Sequence, residues 1–224
     1  MDWLRTVTSH QLLRPVMFSV AFVFVDAISF IYPVGQLNIT PWNPQAAVEV
    51  MFLMLYGLIW MPWVYVTMFL SDWVVRGSTL LTPQVLLGNA LLVICYAMIA
   101  LTLRRTLRGQ TTISTRSEVA VMSVVVACGA LFTGALYVSF SRSMQTLQEV
   151  DYADAFYRFF IGDLLGFFVV LPLVFVATDE RRAKQYRAMF GSRVFWLLIW
   201  KATSFGRRVL AQSLVTVLGV PLRV

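Results

Sequence analysis

The chain has 224 residues, of which 59% are hydrophobic and only 13% are charged, and its mean hydropathy is +0.75. This composition excludes an ordinary soluble globular domain and indicates an integral membrane protein. The net charge of +7 would suggest nucleic-acid binding in a soluble protein. Here the basic residues stand at the ends of apolar runs, as the positive-inside rule predicts. We therefore predict one membrane domain in contact with the lipid bilayer and no nucleic-acid partner.

The first span is predicted from Pro15 to Val34, after a polar, basic segment of residues 1–14. Pro15 suits the start of a helix and Gly35 suits its end, because proline lacks a backbone N–H and glycine tolerates left-handed backbone. Asp26 lies near the middle of this span. The apolar stretch is too long for the core of a signal peptide, so it is predicted to be a membrane helix.

The apolar stretch from Ala46 to Trp73 is interrupted by Pro62. It is either one kinked helix or two short helices joined by a tight turn at the proline. Two helices place Arg5 and Arg14 on the same side as the later basic loops, whereas one kinked helix places them on the opposite side. Charge bias therefore favours the hairpin, although each arm is short for a full crossing.

Three further spans complete a predicted all-α bundle of about six transmembrane helices, with the second and third short. They run from about Pro83 to Leu103, from about Glu118 to Phe140, and through Phe156–Leu173. Basic loops at 104–116 and 179–193 alternate with an acidic loop at 141–155, so the charge bias is consistent throughout. The membrane domain is expected to cover residues 15–178, in a multi-pass protein with a cytoplasmic N-terminus.

Residues 179–224 are predicted to form a basic cytoplasmic loop and an amphipathic or partly inserted tail. Lys201, Ser204, Arg208 and Gln212 recur at spacings of three and four and line one helical face. The last uncharged run is short for a span, so this helix is expected at the membrane surface. The segment 201–206 is also similar to the end of a microbial rhodopsin, which makes a retinal-binding protein a weaker alternative.

Ionisable and amide side chains inside the spans are the candidate functional residues. Asp163 lies deep in the sixth span, where an isolated carboxylate needs a partner or a polar cavity. It either ties a helix crossing or lines a small polar pocket with Asp26, Glu49 or Asn89. Arg158, nearer the end of the span, is expected to extend its charged head to the interface.

Small residues predict close contacts between helices. Gly162 and Gly166 flank Asp163, and Gly129 and Gly134 lie in the fifth span. Such spacings allow another helix to approach closely.

The sequence contains no recognisable catalytic set. The single histidine is His10, and Cys95 and Cys128 both lie inside apolar runs, so no Cys/His metal site can be assembled. No P-loop spacing and no Ser/His/Asp set are present. We predict no enzyme activity, no metal and no cofactor.

The sixth span reads Tyr-Arg-Phe-Phe-Ile-Gly-Asp-Leu-Leu-Gly over residues 157–166 and continues to Leu171-Pro172-Leu173. This aromatic start, the Gly-Asp pair, the following glycine and Pro172 resemble the closing signature of the membrane-associated sensor domain of the first type, the MASE domain. The resemblance covers about residues 15–178.

Further positions resemble the same family. Trp42 and Pro44, and then Trp60 and Pro62, are similar to its two Trp-Pro pairs, each with one inserted residue here. Asn89, after a glycine, matches a Gly-Asn pair in the fourth span.

The resemblance implies a bacterial inner-membrane input domain that passes a stimulus to a cytoplasmic partner. Family members generally continue into a histidine kinase or a cyclic-dinucleotide cyclase, and neither would fit after Arg193. The first hypothesis is a sensor-like protein that acts through a separate membrane or cytoplasmic protein. The second is an accessory subunit packed against a larger membrane complex, and the third is a transporter or chromophore protein.

Overall fold

The computed structural model describes residues 9–30, 39–40, 42–77, 82–107, 115–144 and 151–178. The chain divides into two compact units, Met1–Phe175 and Val176–Val224. The described residues form six α-helices and one short 3₁₀ turn, and they contain no strand. The helices are α1 (Ser9–Ser29), α2 (Pro44–Tyr56), α3 (Met61–Arg76), α4 (Pro83–Thr106), α5 (Arg116–Ser143) and α6 (Tyr152–Thr178).

Four segments in the described part of the chain are long and apolar enough to cross a membrane. They are Leu58–Arg76, Pro83–Thr106, Arg116–Ser143 and Tyr152–Phe175. Large apolar side chains also cover the outer surface of the bundle, where only lipid would favour them; examples are Val20, Phe24, Ile94, Val124, Leu165 and Leu173. The prediction of an all-α, multi-pass membrane protein is confirmed, while the count of about six spans stays a prediction.

The apolar stretch from Ala46 to Trp73 forms two helices. α2 ends at Tyr56, and Gly57 follows with a φ of +95°, a left-handed conformation that favours glycine. The 3₁₀ turn Leu58–Trp60 then leads into α3. The predicted position of the turn at Pro62 is wrong, because the turn lies before it, at Leu58–Trp60. Pro62 itself is in the first turn of α3, where a backbone N–H has no partner within the helix and proline is therefore tolerated.

α1 begins earlier and ends earlier than predicted. Pro15 lies inside the helix, and the helix ends at Ser29 instead of Val34. The Pro15 carbonyl oxygen accepts hydrogen bonds from Ser19 Oγ at 3.0 Å and from Trp63 Nε1 at 3.1 Å. α3 therefore holds α1 at the proline, where a helix is weakest.

α2 is the interior helix of the bundle. It has 13 residues and packs against α1 and α4, while α3 packs on α1 and α4, and α5 packs on α4. Nearly every α2 side chain from Pro44 to Met54 is buried. A helix that is buried on all faces has no surface left for lipid, so its polar residues must find their partners inside the protein.

Arginines gather at one end of the bundle. The Arg14 guanidinium lies over the Tyr56 ring, 5.4 Å from its centroid. A Cβ placed on Gly57 would lie 3.5 Å from Arg104 Nη1. The start of α1, the α2–α3 turn and the end of α4 therefore lie at the same end, as the hairpin arrangement requires. The predicted amphipathic helix of residues 179–224 lies outside the described residues, as does the N-terminal segment up to residue 8.

Glycines of α5 lie at helix contacts. A Cβ on Gly129 would overlap the Ile99 side chain of α4, and a Cβ on Gly134 would lie 3.3 Å from Phe159 Cδ1 of α6. The Tyr137 and Phe159 rings meet at 5.2 Å between centroids. Small residues in α5 therefore bring it close to both neighbours.

Candidate functional site

Two groups of polar side chains are buried inside the bundle. The first, termed the Asp163 cluster, consists of Asn43, Glu49, Tyr96 and Asp163. The second, termed the Arg76 network, consists of Asp26, Ser29, Gln45, Ser71, Asp72, Arg76 and Asn89.

Asp163 joins three parts of the fold through its carboxyl group. The side chain is 0% exposed. Its Oδ1 accepts a hydrogen bond from Asn43 Nδ2 at 2.5 Å, and its Oδ2 accepts one from Tyr96 O–H at 2.9 Å. Asn43 immediately precedes α2, Tyr96 lies on α4 and Asp163 lies on α6. The carboxyl group therefore connects α6 to both α4 and the start of α2.

Asn43 stands where an asparagine would normally cap a helix. Its side chain makes no capping bond to α2 and is directed to Asp163 instead. Its backbone N–H donates to the carbonyl oxygen of Gly162 at 3.0 Å. Asn43 is thus bound to α6 through both its backbone and its side chain.

Gly166 allows this close approach. A Cβ at this position would collide with the Asn43 carbonyl oxygen and would lie 2.9 Å from Pro44 Cα. These are backbone atoms, which cannot swing away as a flexible side chain can. The segment that contains Trp42 and Pro44 therefore touches the segment that contains Gly162 and Gly166.

Glu49 has a different environment from Asp163. It is 0% exposed, and neither of its carboxyl oxygens has a hydrogen-bond partner among the described residues. Asn43 Oδ1 is also buried without a partner. The Asp163 carboxyl is close enough for its charge to interact with Glu49. The cluster therefore contains acceptor oxygens without donors, and burial makes these unfavourable.

The Arg76 network is built around a buried ion pair. The Arg76 side chain is 3% exposed, and its Nη2 lies 2.7 Å from Asp26 Oδ1 while its Nη1 lies 2.6 Å from Asp72 Oδ1. The guanidinium also lies over the Phe30 ring, 5.2 Å from its centroid. One cation at the end of α3 is thus shared by two carboxylates.

Amide and hydroxyl groups donate further hydrogen bonds to the two carboxylates of the network. Gln45 Nε2 donates to Asp26 Oδ1 at 3.0 Å, and Asn89 Nδ2 donates to Asp72 Oδ2 at 2.7 Å. Ser71 Oγ donates to Asp26 Oδ2. α1, α2, α3 and α4 are joined in this way at the end of the bundle opposite Arg14.

The structure separates the residues that the sequence placed in one pocket. Of the three suggested companions of Asp163, Glu49 is buried within range of the Asp163 charge, whereas Asp26 and Asn89 belong to the Arg76 network. Arg158 lies outside both groups, because its side chain is 43% exposed and pairs with Asp154 at 2.9 Å.

The remaining motif residues lie around the Asp163 cluster or on the surface. Pro44 is buried at the start of α2, and Trp42 is partly exposed. Trp60 packs edge-on against Phe52, with 6.2 Å between centroids. Pro62 and Pro172 are exposed, so neither contributes a contact inside the site.

Sequence reasoning missed four important residues. Arg76 and Asp72 have the i, i+4 spacing of an ion pair on one helix face, which was an available signal. Asn43 precedes Pro44 as a helix cap does, but its diversion to α6 had no signal in the sequence. Tyr96 carries a single hydroxyl group within an apolar run, and the sequence gave no signal for its role.

Two cavities lie elsewhere in the described bundle. One of about 380 Å³ lies between α4 and α5, and its lining includes Cys95 and Cys128. The other, an apolar groove of about 610 Å³, lies between α1 and α3, and its lining includes Trp63 and Thr67. Neither is lined by Glu49 or Asp163.

Comparisons with protein-family models, with curated proteins and with solved structures find no match. The resemblance to the MASE domain therefore stays a prediction that depends on the motif residues themselves. Within the described ranges, no group of three or more His, Cys, Asp and Glu side chains is placed to hold a metal ion.

Proposed function

We propose that the chain is a sensor-like input protein of the MASE type in a bacterial inner membrane. In this proposal its N-terminus is cytoplasmic and it acts through a separate protein. The observation that most supports the proposal is the contact of Asn43 with Gly162 and Asp163. Two stretches that resemble the family, far apart in the sequence, meet at one buried carboxyl group.

The chemistry of the Asp163 cluster favours a functional role over a purely structural one. Ionisable residues inside a membrane bundle are unfavourable, and they typically mark a site that binds or moves something. Carboxyl groups that serve only to hold helices together would have all their oxygens hydrogen-bonded, as Asp26 and Asp72 do in the Arg76 network. The two Glu49 oxygens have no partner among the described residues, so the cluster is suited to respond to what binds there.

α6 offers a route from this cluster to the cytoplasmic side. The helix runs from Asp163 through Pro172 to Thr178, and the basic segment predicted to be cytoplasmic follows it. A change in the bonds between Asp163 and α2 would shift α6 relative to α2, and small helix shifts are an established mode of signal transfer. The partner is expected to read the position of this helix.

An accessory subunit of a larger membrane complex is the second candidate. The apolar groove between α1 and α3, about 610 Å³ in volume, favours it. Such a groove would accept a helix of another membrane protein.

A genetic experiment separates the two candidates. Strains carrying the wild-type gene, a deletion, Asp163→Asn or Asp154→Asn would be compared for transcript profile and for membrane complexes on native gels. Asp154 is the matched control, because it is an exposed carboxylate on the same helix. For a sensor, the deletion changes the transcript profile. Asp163→Asn also changes it while the protein is present at normal abundance, and Asp154→Asn does not change it.

A different result would overturn the signalling proposal. The chain is a subunit if the deletion strain lacks a complex that is present in the wild type, while the Asp163→Asn strain shows both that complex and the wild-type transcript profile.

A further inference from the structure

Glu49 is the buried acid that lacks the partners of the other buried acids. The side chain lies on α2, the interior helix, and is 0% exposed. No N–H or O–H group among the described residues reaches either of its carboxyl oxygens. Asp26 and Asp72, by contrast, share the Arg76 guanidinium, and Asp163 accepts hydrogen bonds from two donors. An ionised Glu49 would therefore be a carboxylate without donors.

The charged and titratable groups around Glu49 do not favour an anion there either. From the helices packed against α2, these groups are Cys95 and Tyr96 of α4, Asp163 of α6, and Asp26 of α1, which bonds to the first turn of α2. All of them are neutral or acidic. The guanidinium of Arg14 lies over the Tyr56 ring, about two helical turns along α2 from Glu49. Within the described ranges, no basic side chain pairs with Glu49.

A proton meets the need that this environment creates. An ionised carboxylate that is buried without a donor or a counter-ion is so unfavourable that such groups usually become neutral instead. The protonated form carries no charge, and its O–H group requires one acceptor but no donor. The groups missing around Glu49 are donors, so protonation removes the requirement that the structure leaves unmet.

The hydrogen bonds of Asp163 explain why the proton is assigned to Glu49. Asp163 Oδ1 accepts from Asn43 Nδ2, and Oδ2 accepts from the Tyr96 O–H group. Hydrogen bonds of this kind stabilise a carboxylate, and Glu49 receives none from the described residues. We propose that Glu49 is a proton-binding site inside α2, and that the folded chain holds this proton at neutral pH.

This inference deepens the proposed function and rests on it for its biological role, because it names the loss of a proton as the stimulus. At high pH, deprotonation would place an anion on a helix that is buried on nearly every face. Relief of that charge requires α2 to move relative to its neighbours. Asn43, at the start of α2, is bonded to α6, so such a movement reaches the helix that the partner would read.

Chemical unfolding of the purified full-length chain in detergent tests the site. The unfolding equilibrium constant is measured between about pH 5 and about pH 8, where a glutamate in an unfolded chain is ionised. The variants are Glu49→Gln, which keeps the shape of a neutral carboxyl, and Asp154→Asn, which changes an exposed carboxylate.

The expected sign follows from which state holds the proton. If only the folded state holds it, stability falls as pH rises, by about a factor of ten in the unfolding constant per pH unit. The ratio of the wild-type constant to that of Glu49→Gln should therefore rise about tenfold per pH unit until the folded chain loses its proton. The ratio of the wild type to Asp154→Asn should stay constant.

Infrared spectroscopy of the wild type gives a second measurement that does not require a variant to fold. The chain contains four glutamates, at positions 49, 118, 149 and 180. Isotopic labelling of the glutamate carboxyl groups separates their bands from those of the aspartates. We expect one of the four labelled groups to be protonated at neutral pH, and its band to disappear when the pH is raised far enough to ionise it.

Either of two results would overturn the proposal. One is a labelled spectrum without any protonated glutamate at neutral pH. The other is a ratio between the wild type and Glu49→Gln that does not change with pH, or that falls as pH rises, because the folded chain then holds no extra proton at this position.

Failure of this inference can be told apart from failure of the proposed function. Proton binding is measured on the isolated chain, whereas signalling is measured by transcript profiles in cells. If Glu49 holds no proton but Asp163→Asn still changes the transcript profile, the sensory role stays and the proton site is lost. A chain that holds the proton but whose deletion changes no transcript keeps the site and loses the sensory role.

Discussion

The Arg76 network and the Asp163 cluster solve the same problem in opposite ways. Each places two carboxyl groups inside an apolar bundle. In the network, Arg76 pairs with both acids, and all four carboxylate oxygens accept hydrogen bonds. In the cluster, Asp163 is hydrogen-bonded but Glu49 is not. Carboxyl groups whose oxygens all have partners suit a structural tie, and a carboxyl group whose oxygens have none suits a binding site.

The largest expected effect is the loss of the network's cation. Arg76→Leu would leave Asp26 and Asp72 as buried charges without a counter-ion, and breaking such a pair destabilises by about 3–5 kcal/mol. The free energy of unfolding in detergent would fall accordingly.

Arg158→Leu is the matched control for this change. It removes an exposed i, i+4 pair with Asp154, which contributes roughly 0.3–0.5 kcal/mol. Equal losses for the two variants would show that the buried network has no special structural role.

Asp163→Leu should have the next largest effect. It leaves Asn43 Nδ2 and Tyr96 O–H as buried donors without an acceptor, at about 1–3 kcal/mol for each unsatisfied group. Asp163→Asn keeps an acceptor oxygen and should fold with a smaller loss. Chemical denaturation of both variants measures the difference, and identical stabilities would mean that these hydrogen bonds contribute nothing.

Gly166→Ala tests the contact between the two motif segments. The added Cβ meets the backbone of Asn43 and Pro44, and overpacking of this kind destabilises by about 1–3 kcal/mol. Gly134→Ala serves for comparison, because its Cβ would meet only phenylalanine side chains and should have a smaller effect. A Tm for Gly166→Ala at or above that of Gly134→Ala would contradict this packing.

The smallest effect, with the opposite sign, is expected at Glu49. Glu49→Met replaces an unpaired carboxyl by an apolar side chain of similar length, and such replacements of buried charge are often neutral or stabilising. Tm should stay equal or rise. A clear loss of Tm would place Glu49 with the structural residues of the network.

The sequence was sufficient for the class of the protein and for the later helices. Composition predicted an all-α membrane bundle, and α4 to α6 begin and end within a few residues of the charged or polar positions that mark their ends. The early helices were harder. Pro15 was expected to start a helix, but it lies inside α1. Its carbonyl oxygen accepts hydrogen bonds from Ser19 and from Trp63 of α3.

The candidate site was predicted in part. Deep charges such as Asp163 and Glu49 are visible in apolar runs. Their partners were not visible, because Asn43 and Asp163 are 120 positions apart and Arg76 and Asp26 are 50 apart. Which side chains meet across such distances is set by the rotation and depth of each helix, and these depend on the packing of the whole bundle.

The burial of nearly all of α2 has a consequence for how the protein is made. During synthesis α2 emerges early and α6 emerges after the other described helices, so Asn43 must wait for Asp163 while the intervening helices are inserted. A short helix with a carboxyl group is poorly held by lipid alone. A nascent chain arrested before α6 should therefore leave α2 accessible to membrane proteases, and completion of α6 should protect it.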